Sequence, residues 1–300
     1  MVEAARAMGI PIAELDSVRA ACCRRTREME GFVKAETKEN WTSGDSYERY
    51  VGRWSRLVAR DFIAWLDLPP QLRWLDVGCG TAALGAGVLA AAAPAAVIGV
   101  DASEGFLELA RARLPDARVR FEIGDAQKLP LPDDAVDVAV SGLMLNFVPD
   151  QPRAMRELRR VVRSGGTVAL YVWDYAGAMQ LMRYFWDAAV ALDPGAQALD
   201  EGLRFPICRP EALAALFDDT GLESVTTRAI DVPTRFADFD DYWTPFLGGQ
   251  GPAPGYCVGL SEAQRSALRD RLRASLPVEA DGRIALSARA WAVRGTVPAA

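Results

Sequence analysis

Between residues 72 and 173 short apolar runs alternate with amphipathic helical stretches, and this alternation constrains the fold more than any other feature of the chain. Strands are predicted at 72–77, 96–100, 119–123, 135–141 and 167–173. Helices are predicted at 81–93, at 103–114 with Ser103 as cap, and at 151–162, where Ser164-Gly165-Gly166 turns the chain into the next strand. Strands that alternate with helices predict a parallel sheet covered on both faces. Upstream, 45–66 carries Tyr47, Tyr50, Trp54, Leu57, Val58, Phe62 and Leu66 near helical spacing, and Pro69-Pro70 ends it. Downstream, helices are predicted at 176–192, 211–220, 237–246 and 261–276, and strands at 222–230 and 284–297, which pair antiparallel at one edge. Residues 248–255 have the glycine and proline content of a mobile lid, or of any long surface loop.

The expected architecture is therefore α/β: a Rossmann-like, seven-stranded, mostly parallel sheet with helices on both faces. Insertions at about 176–209 and 237–280 form a helical cap over the crevice. Residues 1–40 read as an extension, helical or mobile, and 41–300 as the domain. A chain of 300 residues buries enough surface to need no disulfide or metal staple.

Chemistry concentrates at the strand ends. Trp74-Leu75-Asp76-Val77-Gly78-Cys79-Gly80-Thr81-Ala82 joins the first strand to its helix through a glycine-rich turn. Such a turn lets a ligand approach the backbone, and the helix behind it presents free N–H groups and a positive dipole end. A tight strand–helix connection would use the same glycines. The reading gains from three acids at successive strand ends: Asp76, Asp101 and Asp125. Ligands of open parallel sheets bind beyond the carboxyl ends of the strands, so the three carboxylates face one crevice. Gly78, Gly80 and Ala83 also fit the dinucleotide pattern G-x-G-x-x-A, which keeps an NAD-dependent oxidoreductase as a rival. Against it, a carboxylate at Asp76 would repel a diphosphate and welcome an ammonium group. The ligand described is a nucleoside with an amine: ribose at Asp101, an adenine amino group at Asp125, a cationic arm at Asp76.

That ligand matches S-adenosylmethionine (SAM). The segments WLDVGCGTA, VIGVDAS, FEIGDAQKLPL, DDAVDVAVSGLMLNFV and ELRRVVRSGGTVALYVWD resemble the ordered motifs of class I SAM-dependent methyltransferases, and more narrowly the type-11 small-molecule group. The upstream YERYVGRWSR is similar to a segment preceding the core in one bacterial subgroup. The resemblance implies transfer of a methyl group from SAM to a small organic acceptor by in-line displacement. It places Gly78, Cys79 and Gly80 along the methionine portion, Asp76 near its amino group, and Asp101 on the ribose hydroxyls. Ala102 would pack on adenine, Asp125 accept from its amino group, and Ala126 and Gln127 read a ring nitrogen. Ser141 and Leu143 would sit beside the sulfonium, and Tyr50, Arg53 and Trp54 would close over the cofactor, Arg53 on its carboxylate. Packing within their own helix is the other reading of Tyr50 and Trp54. A SAM-binding protein that regulates, or that uses the cofactor without methylating, shares all of these features.

The chain departs from the family in two places. Ala82 stands where relatives often have a third glycine, tolerable if the helix sits slightly farther away, and Asn146 stands where many carry histidine. The chain has no histidine at all, which excludes Ser-His-Asp and Cys-His nucleophiles and a histidine base. Asn146, Asp174, Tyr175 and Tyr242 are the catalytic candidates, and where the acceptor needs a base the candidates at the pocket mouth are Asp174, Tyr175, Asp240, Asp241 and Tyr242. The aromatic segments 184–186 and 242–246 either wall an acceptor pocket or pack a core.

A net charge of −6 and a pI near 5.0 argue against a nucleic-acid surface. Five unpatterned cysteines predict a reducing cytoplasm and no metal site. No apolar run reaches the length of a membrane span, and the start lacks the pattern of a signal peptide.

Overall fold

A computed structural model describes residues 48–249 and 251–299, so the expectations for 1–40, the start of the upstream helix and Gln250 lie outside it. A π-helical turn, Glu48–Gly52, leads into α1 (Arg53–Leu66), whose buried stripe is Trp54, Ser55, Val58, Ala59, Phe62, Ile63 and Leu66. The helix ends at Asp67 in the left-handed region, and the Arg294 guanidinium donates to the carbonyls of Trp65 and Leu66 at 3.3 and 3.1 Å.

The alternation then runs β1 (Arg73–Val77), α2 (Ala83–Ala91), β2 (Ala96–Asp101), α3 (Glu104–Arg113), β3 (Val119–Ile123), β4 (Val136–Gly142), α4 (Gln151–Val161) and β5 (Val162–Trp173). Ser103 caps α3 as expected, accepting from the Phe106 N–H. The remaining elements are α5 (Gln180–Leu192), α6 (Glu201–Arg204), α7 (Pro210–Asp219), β6 (Glu223–Phe236), α8 (Phe239–Trp243), α9 (Pro252–Gly259), α10 (Glu262–Ser275) and β7 (Ile284–Thr296). The seven strands form one sheet in the order β3-β2-β1-β4-β5-β7-β6. Strands β1 to β5 pair in parallel, and β7 lies antiparallel between β5 and β6.

Four local expectations need correction. Ser164-Gly165-Gly166 is no turn between helix and strand; β5 already begins at Val162 and carries a bulge there. Gly165 adopts φ +72°, and a Cβ on Gly166 would lie 2.6 Å from the Asp137 carbonyl oxygen, so a bulge selects the residues a turn would. Helix α5 starts at Gln180 rather than 176, because the Asp174 carboxylate accepts from the Gly177 and Ala178 N–H groups and holds a turn ahead of it. Strand β6 continues to Phe236 past Pro233, which an edge strand tolerates. Half of the expected loop at 248–255 is helical, since Gly251 at φ +83° places Pro252 at the first position of α9.

Candidate cofactor crevice

The crevice begins where β1 stops. Asp76 is 1% exposed; its Oδ2 accepts from the Gly85 N–H of α2 at 3.1 Å, and its Oδ1 has no partner. Burial pushes this carboxyl up to about 7, against the Gly85 hydrogen bond, and neighbouring Asp101 adds to the rise. The turn that follows uses its two glycines differently. A Cβ on Gly78 (φ +69°) would collide with Met144, 2.4 Å from Cγ, whereas one on Gly80 (φ +52°) would meet nothing within 4 Å. Gly80 therefore faces open space, and Asp76 lines the same cavity. Ala82 sits at φ +67°. Glycine would also suit this position for its backbone conformation, a reason the sequence argument did not include.

At the end of β2, Asp101 Oδ2 accepts from the Gly80 N–H and Oδ1 from the Ser103 N–H, both at 2.9 Å. One carboxylate thus fixes the glycine turn to the start of α3, and each oxygen retains a lone pair. Asp125 lies exposed after β3, accepting from the backbone and side-chain N–H groups of Gln127, which lower its pKa. Leu143, just past β4, is held at φ +60° while its N–H donates to the Tyr171 carbonyl. Left-handed backbone at a branched residue is strain of the kind that collects at binding sites.

These strand ends enclose a cavity of about 480 Å³ lined by Asp76, Gly78, Cys79, Gly80, Asp101, Ala102 and Leu143, among others. A second hollow of about 210 Å³ shares Gly78, Asp101 and Ala102 and adds Asp125, Ala126 and Gln127. The size suits a nucleoside with a short arm. Cys79 is buried, and burial pushes its thiol far above the usual range, so it is a wall and not a nucleophile. Sequence reasoning missed Ser55, Leu84, Ser103, Phe106, Gly142, Met144, Phe147 and Tyr171, which also line the main cavity. Only their closeness to the quoted motifs signalled them.

Several expected site residues lie elsewhere. Tyr50 is buried with its hydroxyl 2.7 Å from the Met182 sulfur and its ring edge-on to Phe246. Arg53 donates to both oxygens of Asp241, at 2.9 and 3.2 Å, and stacks against Trp54 and Phe236. Neither lines the cavity: the Tyr50 hydroxyl meets Met182 of α5 and Nη1 of Arg53 meets Asp241 of the second insertion, while Nε and Nη2 of Arg53 are buried without a partner. Ser141 donates to the Val77 carbonyl at 2.7 Å, tying β4 to β1 instead of facing a ligand. Asp174 caps the turn before α5, and the Tyr242 hydroxyl is fully buried and donates to the Leu181 carbonyl, so neither is placed to act as a base. Burial also raises the Tyr242 phenol well above its usual range. Tyr175 is buried against Phe205, which in turn meets Phe147 of the cavity wall at 5.2 Å. Asn146 is 5% exposed, and neither atom of its carboxamide has a partner.

A seven-stranded sheet in this order, with carboxylates at the ends of its first three strands and a glycine turn open to a nucleoside-sized cavity, defines the class I SAM-dependent methyltransferase fold. A family model described as a methyltransferase domain, type 11, matches residues 75–170. The 2-methyl-6-phytyl-1,4-hydroquinone methyltransferase of Synechocystis is 31% identical over 241 residues, covering 72% of this chain and 74% of that protein. The demethylmenaquinone methyltransferase of Symbiobacterium thermophilum is 37% identical over 121 residues, 39% of this chain and 48% of that protein. Among solved structures, phosphoethanolamine N-methyltransferase 2 of Haemonchus contortus, bound to phosphomonomethylethanolamine and S-adenosylhomocysteine, superposes with a TM-score of 0.54. It is 14% identical and covers 84% of this chain and 57% of that one, a likeness of fold. The chain belongs to the type-11 SAM-dependent methyltransferase family.

Proposed function

We propose that this methyltransferase alkylates a small organic acceptor that arrives already nucleophilic, with SAM held along the β1–β2–β3 strand ends. The observation that carries the cofactor placement is the unpartnered Asp76 Oδ1, a buried acceptor on a residue that lines the same cavity as the open Gly80 and is suited to an ammonium group. Bound SAM supplies an electrophilic methyl on an excellent leaving group, so the protein's task is to orient, desolvate and exclude water. Asp76 takes the amino group, Gly78, Cys79 and Gly80 border the methionine portion, and Asp101 receives the ribose hydroxyls. Ala102 and Leu143 pack on the nucleoside, while Asp125, Ala126 and Gln127 read the adenine edge from the second hollow.

The acceptor side is supported by the apolar ring series Phe147–Phe205–Tyr175, which extends from the cavity wall into the first helical insertion. Two relatives carry a hydroquinone or a menaquinone in their names, which supports a small, largely apolar acceptor. Asn146 can donate and accept but cannot take a proton, which suits orientation of an acceptor without deprotonating it. The insertions then serve as a cap. Three buried free thiols, Cys79, Cys208 and Cys257, support a reducing, cytoplasmic setting.

Calorimetry with SAM, S-adenosylhomocysteine and NAD tests this reading. Binding of the first two is expected, and Asp101→Ala should weaken them about 10- to 150-fold by losing a charge-assisted contact. NAD binding without SAM binding would overturn it.

A further inference from the structure

Helix α6 is a single turn that joins the first insertion to the aromatic wall of the crevice. Two of its anchors reach α5: Asp200 pairs with Arg183 at 2.6 Å, and Glu201 accepts from the Trp186 indole N–H. Arg183 and Trp186, three residues apart, are neighbours on the surface of α5. The third anchor is backbone packing. A Cβ on Gly202 would lie 2.9 Å from Ala176 Cα and 3.1 Å from the Tyr175 carbonyl oxygen, so α6 sits flush on the chain leaving β5. At the end of the turn the Phe205 N–H donates to the Glu201 carbonyl at 3.0 Å, and the Phe205 ring meets Phe147 of the cavity wall at 5.2 Å.

Glu201 is the weak member of this set once it ionises. It is 1% exposed and makes no ion pair among the described residues, and its donors, the Trp186 indole and its own backbone N–H, are neutral. Two charged neighbours share its helix. Asp200, already paired with Arg183, opposes ionisation; Arg204, whose guanidinium lies over the Phe205 ring at 5.2 Å, favours it. From the N-terminal turn Tyr50 faces it, a phenol held neutral by burial and by Glu201 itself. Tyr175 past β5, Tyr242 of α8 and Cys257 of α9 complete the titratable groups around Tyr50. A carboxylate in such surroundings loses more hydration than neutral donors return, so its charged form favours an arrangement that water can reach. Water reaches Glu201 only when α6 parts from α5.

We propose that Glu201 is a positioning residue governed by its proton: protonated, it holds α6 on α5 and Phe205 against the cavity wall, and ionised, it releases α6 and opens the aromatic end of the crevice. Helix α6 behaves in this way whether or not a ligand occupies the crevice.

Hydrogen exchange on the full chain, followed by peptide and corrected for the intrinsic pH dependence of exchange, tests this. The amides of Leu203 and Arg204 donate to the Asp200 carbonyl and that of Phe205 to Glu201, so they report opening of the turn. Glu201 titrates at about 7 in the closed chain, against an ordinary 4.5 once water reaches it, and the closed form is therefore lost as pH rises toward 7. The opening constant of these amides should rise about tenfold between pH 6 and 8 in the native protein and stay level in Glu201→Gln. If that variant does not fold, Trp186→Phe decides: the indole lowers the Glu201 pKa, so its loss should move the transition to higher pH. A flat native profile, a rise that survives in Glu201→Gln, or a transition unmoved in Trp186→Phe would overturn the proposal.

Discussion

Asp76 combines two properties that conflict in the empty protein and agree in the loaded one. Burial favours its neutral form, with a pKa of about 7, while an ammonium ligand requires the carboxylate. Below pH 7 a proton must leave before the ion pair forms, so cofactor affinity should rise with pH and level off above 7. S-adenosylhomocysteine is expected to bind about tenfold more weakly at pH 6 than at 7.5, and Asp76→Asn should flatten that profile; a native profile equally flat would remove Asp76 from the site. Ala82 makes a separate prediction. An alanine at φ +67° carries left-handed strain, so Ala82→Gly should stabilise the protein by about 1 kcal/mol in urea unfolding, after the extra entropy of the unfolded glycine is subtracted. A destabilised variant would mean that the methyl group's packing outweighs the strain.

Among the elements, the insertions depart furthest from what the sequence let one read. Local signals held where they are local: the Ser103 cap, the helix expected at 261–276, which is α10, and the strand–turn–helix at Gly78–Gly80. Partners far along the chain were invisible. Nothing near Tyr50 or Arg53 announces Met182, 132 residues away, or Asp241, 188 residues away, and those partners draw both side chains out of the crevice. The same holds for Glu201 of α6, a buried carboxyl that accepts from the Trp186 indole N–H of α5. Burial raises its pKa to about 7 from an ordinary carboxylate value near 4.5. Between those two values the folded chain holds the proton that the unfolded chain has released, so this group's stabilising contribution is lost as pH rises toward 7. Glu201→Gln keeps an acceptor for Trp186 and removes the titration. It should stabilise the protein by about 1–3 kcal/mol at pH 8 and have little effect at pH 4; a variant less stable at pH 8 would show that the ionised carboxylate is what α5 requires.

For the molecule as a whole, the sheet was legible in type and strand number because parallel strands buried on both faces read as apolar runs. The crevice was legible through its carboxylates and glycines, whereas its aromatic wall at Phe147 and Tyr171 was hidden among residues that equally well build a core. If the crevice binds only the folded chain, S-adenosylhomocysteine at a hundred times its Kd should add about 2.7 kcal/mol to global stability, visible as a raised Tm. An unmoved Tm at saturation would mean that the ligand binds the unfolded chain equally well. The insertion of β7 between β5 and β6 has a consequence in time. When β5 has been translated, the strand that will cover its outer edge is still about 120 residues from completion. At about 5–20 residues per second, the nascent chain carries an open apolar strand edge for roughly 6–24 s, and the ribosome-bound chain is then most exposed to mispairing with its neighbours.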